Sequence, residues 1–190
     1  ELMNSMQYND TAVTTPTLYV DVNGRRLAYR SIGSGKPLVL CIRFRGTMDL
    51  WDPLFLDSLA AAGFRVITFD YSGLGLSTGE KNYDPLSLAR DAHDLVEALD
   101  LRDLVIGGWS LGGLAAQVFI AMYPQRVTHA VLIGTGPPGP NVRDPEQLFY
   151  DTASRPVNTF EDEVVLFFEP RSAASREAAP RAHDRIDQRT

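Results

Sequence analysis

Ser110 is the residue of this sequence best placed for covalent chemistry. It sits in Gly108-Trp109-Ser110-Leu111-Gly112, a G-x-S-x-G match that follows the apolar run Leu104-Val105-Ile106 and precedes Leu114–Tyr123, a stretch of helical spacing. A strand, a tight turn and a helix in that order lift a serine hydroxyl above a sheet edge, where it can attack a carbonyl carbon. The glycines have a mechanical reason, because so tight a turn leaves no room for a Cβ against the neighbouring strand and helix. The helix start adds free N–H groups and a positive dipole end beside the serine.

Serine is a poor nucleophile at neutral pH and needs a histidine to take its proton and a carboxylate to orient that histidine. The sequence holds three histidines. His93 falls on a helix ahead of the serine's strand and reads as a surface or partly packed residue. His129 stands before a strand, at the end opposite Ser110, and His183 lies in a polar, Arg-rich stretch with no strand before it. Residues 134–141 hold no carboxylate, and Asp144 is several residues further on. None of these reads as an evident partner of Ser110.

The surrounding elements must deliver the serine to a shared edge. Leu18–Val22 and Arg26–Arg30 alternate around Asn23-Gly24, a hairpin signal. Pro37–Phe44 is a nearly continuous apolar run of the kind buried on both faces of a parallel sheet. A loop, Arg45–Asp52, leads to a helix over Pro53–Ala62 and then to a strand, Phe64–Phe69, ending at Asp70. A second helix spans about Leu86–Leu99, after Asp84-Pro85. The strand Leu104–Ile106 is broken by Gly107-Gly108, the helix Leu111–Tyr123 is stopped by Pro124, and Ala130–Ile133 is a further strand. A hairpin followed by strand–helix units predicts an α/β fold, a mostly parallel sheet with helices on both faces. Ligands in such sheets bind at the carboxyl ends of the strands. Ser110, Phe44 and the loop after Asp70 should therefore meet.

Three parts are expected: a flexible segment over residues 1–15, an α/β core over 16–140, and a helical cap or lid over 141–190. Phe160–Phe168 and a later Ala/Arg-rich stretch form the helices of the last part; the rival is a disordered or loosely packed tail. The length of 190 residues at 44% hydrophobic content allows one sizeable core. A net charge of −6 argues against nucleic acid or an anionic membrane surface as partner. Arg171, Arg176, Arg181, Arg185 and Arg189 alternate with Glu177, Asp184 and Asp187, a solvated helical face. Cys41, the one cysteine, lies in an apolar strand and reads as a buried, inert thiol. With no apolar leader region in residues 1–15 and no run of membrane-spanning length, the expected location is cytoplasmic.

Three motifs together make the chain resemble the α/β-hydrolases. Besides GWSLGG, Asp70-Tyr71-Ser72-Gly73-Leu74-Gly75-Leu76-Ser77 resembles the family's D-x-x-G-x-G-x-S loop, and Tyr123-Pro124-Gln125-Arg126-Val127 its Y-P-x-R-V turn. The resemblance runs from about Thr17 to Pro140. It implies a serine hydrolase with Ser110 as nucleophile and an oxyanion hole from the backbone N–H groups of Leu111 and Phe44. The substrate would be a small ester, lactone, amide or related carbonyl compound, with Trp109 and Trp51 available to line an apolar wall. Neither a metal nor an organic cofactor is implied. A serine at this turn sets the chain apart from relatives with an Asp nucleophile, such as haloalkane dehalogenases and epoxide hydrolases.

One departure stands out. Ile42-Arg43 occupies the place where many members carry His-Gly. Arg43 or Arg45 could then bind a carboxylate or phosphate of the substrate, or else pair at the surface with Asp49, Asp52 or Asp57. The family order of serine, acid and histidine places both partners of Ser110 on later strands. The resemblance thus predicts two more strand–helix units, about 60 residues or more at roughly 30 each. On that expectation Ala130–Ile133 is an exposed apolar edge, open to a second copy or a complementing chain. G-x-S-x-G does not separate ester hydrolysis from carbon–carbon bond hydrolysis, perhydrolysis or lyase chemistry. A non-catalytic binding protein or a truncated remnant with the same fold is the alternative from another class.

Overall fold

Asn23 and Gly24 both take positive φ, 49° and 77°, as a two-residue hairpin turn demands. They join strand β1 (Leu18–Val22) to strand β2 (Arg25–Ile32) as an antiparallel pair. A computed structural model describes residues 10–140 and 143–189 of the chain. Within it β2 pairs antiparallel with β4 (Phe64–Phe69), and β4 pairs parallel with β3 (Lys36–Cys41). Strands β5 (Leu104–Trp109) and β6 (Val127–Ile133) continue the parallel part, giving the order β1-β2-β4-β3-β5-β6.

Helix α1 (Pro53–Ala61) links β3 to β4, and its cap Asp52 accepts from Leu54 N–H. Helix α2 (Pro85–Ala98) links β4 to β5, capped by Asp84 accepting from Ser87 N–H, and α3 (Leu111–Met122) links β5 to β6. Moving from β3 to β4 runs one way along the sheet; moving from β4 to β5 and on to β6 runs the other. Right-handed crossovers therefore place α1 on one face and α2 with α3 on the other. In keeping with this, α2 packs on α3. The fully buried Val39, Ile67, Leu95, Ile106 and Phe119 form part of the core between sheet and helices.

Several boundaries differ from expectation for physical reasons. Strand β3 stops at Cys41, because its ladders end at Leu40–Thr68 and Cys41–Gly108. Ile42 to Phe44 thus belong to a loop. Gly107 and Gly108 do not break β5 but stay in register with Leu40, Cys41, Val131 and Leu132. Their lack of side chains serves close packing: a Cβ on Gly107 would lie 2.7 Å from Leu40 Cδ2. Strand β6 starts at Val127, three residues earlier than the apolar run indicated.

After residue 143 come three helices: α4 (Gln147–Ala153), α5 (Phe160–Phe167) and α6 (Ala173–Asp187). The short α4 was not anticipated. Helix α5 starts with a capping box in which Thr159 and Asp162 exchange hydrogen bonds. Arg171, Arg176 and Arg181 are exposed, as a solvated face requires. Arg185 and Arg189 are not. Arg185 holds Asp52 with bonds of 2.8 and 2.7 Å, and Arg189 donates to the carbonyls of Ala12 and Val13.

Residues 1–9 of the segment expected to be flexible lie outside the described residues. In the remainder Ala12 and Thr15 are buried, with Ala12 N–H bonded to Asp57 and the Thr15 hydroxyl to the Ser31 carbonyl. At the other sheet edge Val131 and Leu132 are 43% and 46% exposed, the apolar edge that the sequence led one to expect. Among the described residues no helix is long and apolar enough to cross a membrane.

Candidate active site

The strand order reverses its direction of growth between β3 and β5, because the chain leaves them toward opposite edges. Ligand crevices in open α/β sheets form at such a switch point, outside the carboxyl ends of the strands. Arg43 and Phe44 follow β3 there, and Ser110 follows β5. Ser110 has φ 55° and ψ −118°, a conformation costly for a residue with a side chain and typical of functional turns. The surroundings hold it. Its N–H donates to Ile133 O at 2.9 Å, and its carbonyl accepts from the Thr135 hydroxyl at 2.8 Å and from Gly113 N–H at 2.9 Å.

The glycines make this turn fit. A Cβ on Gly108 would lie 2.0 Å from Gly112 O, and one on Gly112 would lie 2.1 Å from Cys41 O. Both clashes are with backbone, so α3 can start this close to β3 only with glycine at these positions. Leu111 opens α3, so its N–H has no carbonyl within the helix. Among the described residues neither it nor the Phe44 N–H donates to another backbone group. Phe44 is 42% exposed, and its ring leans on Tyr83 with centroids 4.5 Å apart.

Asp70, Tyr71 and Ser77 explain the glycine-rich loop after β4. Asp70 is buried and accepts from Met48 N–H at 2.7 Å and Leu76 N–H at 2.8 Å, joining the loops after β3 and β4. Burial nevertheless pushes its carboxyl above its ordinary value. A Cβ on Gly75 would lie 2.2 Å from Asp70 Oδ2. The Ser77 hydroxyl donates to Asp70 O, and the Tyr71 hydroxyl to Ile42 O at 2.8 Å. Behind this loop Arg25 binds Ser72, Asp91 and Asp94, each within 2.7 Å, a network that no local motif announced. The Cys41 thiol is fully buried and pushed up to about 12 by that burial, which makes it inert.

The two arginines of the β3 loop do not pair with Asp49, Asp52 or Asp57. Those carboxylates are engaged by Arg30, Arg185 and Ala12 N–H respectively. Arg45 reaches the end of α4, donating to Arg155 O and Pro156 O at 2.6 Å each. Arg43 lies over the rings of Trp109 and Phe167, 5.4 and 4.1 Å from their centroids, with Glu163 at 3.8 Å. Trp109 is half-buried, whereas Trp51 is a core residue, 4% exposed and stacked on Phe55.

Among the described residues no histidine is hydrogen-bonded to Ser110. His93 stacks on Tyr123, with centroids 3.7 Å apart. His129 is exposed on β6 and bonded to Thr128, and His183 packs edge-on to Phe160 beside Asp187. Among the described residues no group of three or more His, Cys, Asp or Glu could hold a metal ion.

Residues 36–188 match the family described as alpha/beta hydrolase fold. The chain is 33% identical over 109 residues to a putative non-heme bromoperoxidase, BpoC, of Mycobacterium tuberculosis, covering 57% of this chain and 42% of that protein. It is 38% identical over 112 residues to a putative non-heme chloroperoxidase of Synechocystis, covering 58% and 40%. Among solved structures, an alpha/beta hydrolase fold protein from Chitinophaga pinensis superposes with a TM-score of 0.83 at 31% identity, over 95% of this chain and 66% of that one. The matches thus span less than half the length of the two curated relatives.

Proposed function

Because this chain belongs to the α/β-hydrolase fold family, we propose that the protein is a serine hydrolase that cleaves a small ester, lactone, amide or related carbonyl substrate. Ser110 Oγ attacks the carbonyl carbon, and the N–H groups of Leu111 and Phe44 hold the oxyanion that forms. The alcohol or amine departs with a proton, leaving an acyl-serine. Water then takes the acyl group and restores the hydroxyl. Trp109 and Arg43 border the substrate, and helices α4 and α5 form a cap over it.

The observation that carries this proposal is the backbone of Ser110: φ 55° on a non-glycine residue, at the carboxyl end of β5, followed by the Leu111 N–H, which makes no backbone hydrogen bond. Labelling with a fluorophosphonate probe tests it, comparing the 190-residue chain with Ser110→Ala. The expected result is a slow covalent adduct on Ser110, promoted by the oxyanion-hole N–H groups, that the variant lacks. Turnover of p-nitrophenyl acetate stays low in this chain, since no histidine is hydrogen-bonded to the serine. A folded sample without a Ser110 adduct overturns the proposal in favour of a binding protein on the same fold.

Two relatives named as haloperoxidases favour a second reading of the same site. Hydrogen peroxide instead of water takes the acyl group, giving a peroxy acid and free Ser110. Peroxy-acid formation from an ester and hydrogen peroxide, dependent on Ser110, distinguishes it.

A further inference from the structure

Arg43 is a cation held with too few partners. Its Nη1 donates to the neighbouring Phe44 carbonyl at 3.2 Å, and its Nη2 stands 3.8 Å from Glu163, beyond hydrogen-bond length. Its Nε is buried and makes no hydrogen bond. The side chain as a whole is 11% exposed. A guanidinium carries five N–H donors and keeps its charge in any protein setting. A buried charge so lightly compensated is costly unless an anion completes it. Burial and the nearby Arg45 push Arg43 below the usual arginine range, in keeping with a site short of negative charge.

Arg45 provides the contrast. Its two terminal nitrogens are taken by the Ala153, Arg155 and Pro156 carbonyls, so it serves to hold the end of α4. Arg43 has no such set. Its guanidinium lies against Trp109, the residue before the nucleophile, and against Phe167 of α5. Those rings screen it from water, and screening strengthens any charge-assisted hydrogen bond it forms.

Resting on the proposed role of Ser110, we propose that Arg43 selects substrates that carry a carboxylate near the scissile carbonyl, the carboxylate docking on the N–H groups that lack an acceptor. Glu163 acts as the resident counter-charge that a substrate carboxylate displaces. Specificity of this kind is distinct from a structural tie between α5 and the core, which would bind no ligand.

The test is a titration of the 190-residue chain, followed by tryptophan fluorescence, with monomethyl glutarate and with its neutral counterpart dimethyl glutarate. The expected result is about a tenfold tighter binding of the carboxylate-bearing ester, the scale of one charge-assisted contact. Arg43→Met abolishes that preference, with circular dichroism confirming the fold. Glu163→Gln, which removes the competing carboxylate, tightens monomethyl glutarate severalfold and leaves dimethyl glutarate unchanged. Equal affinity for the two esters, absence of binding, or a preference that survives Arg43→Met overturns the proposal. So does a Glu163→Gln variant that binds both esters more weakly, the mark of a purely structural tie. The fluorophosphonate result is independent: a carboxylate preference without a Ser110 adduct retains the anion site and rejects the hydrolase.

Discussion

The Tyr71 hydroxyl, fully buried at the end of β4, donates a 2.8 Å hydrogen bond to the carbonyl of Ile42. The loop that carries Phe44 is therefore held from the adjacent strand end, two residues before the N–H proposed to hold the oxyanion. Tyr71→Phe removes the donor and leaves the ring in place. The expected loss is about 1–2 kcal/mol of stability, measured by urea denaturation, together with slower fluorophosphonate labelling of Ser110.

Gly112→Ala puts a methyl group 2.1 Å from Cys41 O and 2.5 Å from Ile42 O, both backbone atoms that cannot rotate away. Helix α3 must shift off the end of β3. A loss of about 3 kcal/mol or more is expected, seen as a fall in the thermal midpoint with Ser110 labelling lost in whatever remains folded.

Asp70 gives a pH dependence of defined sign. Its folded-state carboxyl titrates above the ordinary 3.8 because burial penalises the charged form. The unfolded chain therefore releases this proton first as pH rises. Stability from this group is complete below 3.8 and declines as pH climbs through the raised folded value. Denaturation midpoints measured from pH 4 to pH 7 should carry this component in the wild type and lack it in Asp70→Asn. The variant should also be less stable by about 1–3 kcal/mol at neutral pH, since one amide oxygen cannot serve both Met48 N–H and Leu76 N–H.

Arg25 joins the β1–β2 hairpin to α2 through Asp91 and Asp94 and to the loop after β4 through Ser72. Asp91 also accepts from both the N–H and the hydroxyl of Ser72. Arg25→Leu leaves a buried carboxylate without its cation, a loss on the order of 3 kcal/mol. A double-mutant cycle with Asp91→Asn should show strong coupling between the two; additive effects would mean that they act separately.

In the 190-residue chain, the exposed Val131 and Leu132 of β6 predict association that rises with protein concentration. Sedimentation velocity should show it for the wild type, and Leu132→Lys should reduce it without lowering the thermal midpoint.

The turn at Ser110 was legible because its constraint is local: glycines at 108 and 112 are needed wherever a helix starts so near a strand end. The loop from Asp70 to Ser77 was legible as a pattern, yet its reason, a carboxylate joining two loops, depends on Met48, 22 residues away. Helix α4 was not legible. It has seven residues and no side-chain cap, and Arg45 satisfies carbonyls at its end from more than a hundred residues away. For the arginines of the β3 loop the sequence offered a substrate anion or nearby aspartates, but Arg45 meets carbonyls just after α4 and Arg43 faces Phe167 and Glu163 of α5, neighbours that no local spacing reveals. His93 fell on α2, where the strand–helix pattern placed it, but His129 lies within β6 rather than before it, because the strand starts at Val127. Arg185 and Arg189 turned inward because their partners, Asp52 and residues 12–13, come from the other end of the sequence.

The bonds from Arg189 to the carbonyls of Ala12 and Val13 span separations of 177 and 176 residues. Closing a loop of that length costs more chain entropy than any strand pairing within the sheet. That contact should therefore form late in folding, after the sheet offers it a surface. Weakening it with Arg189→Met should speed unfolding while leaving the rate of sheet formation almost untouched. The junction would then behave as a clasp that governs how long the folded molecule lasts, rather than how fast it is made.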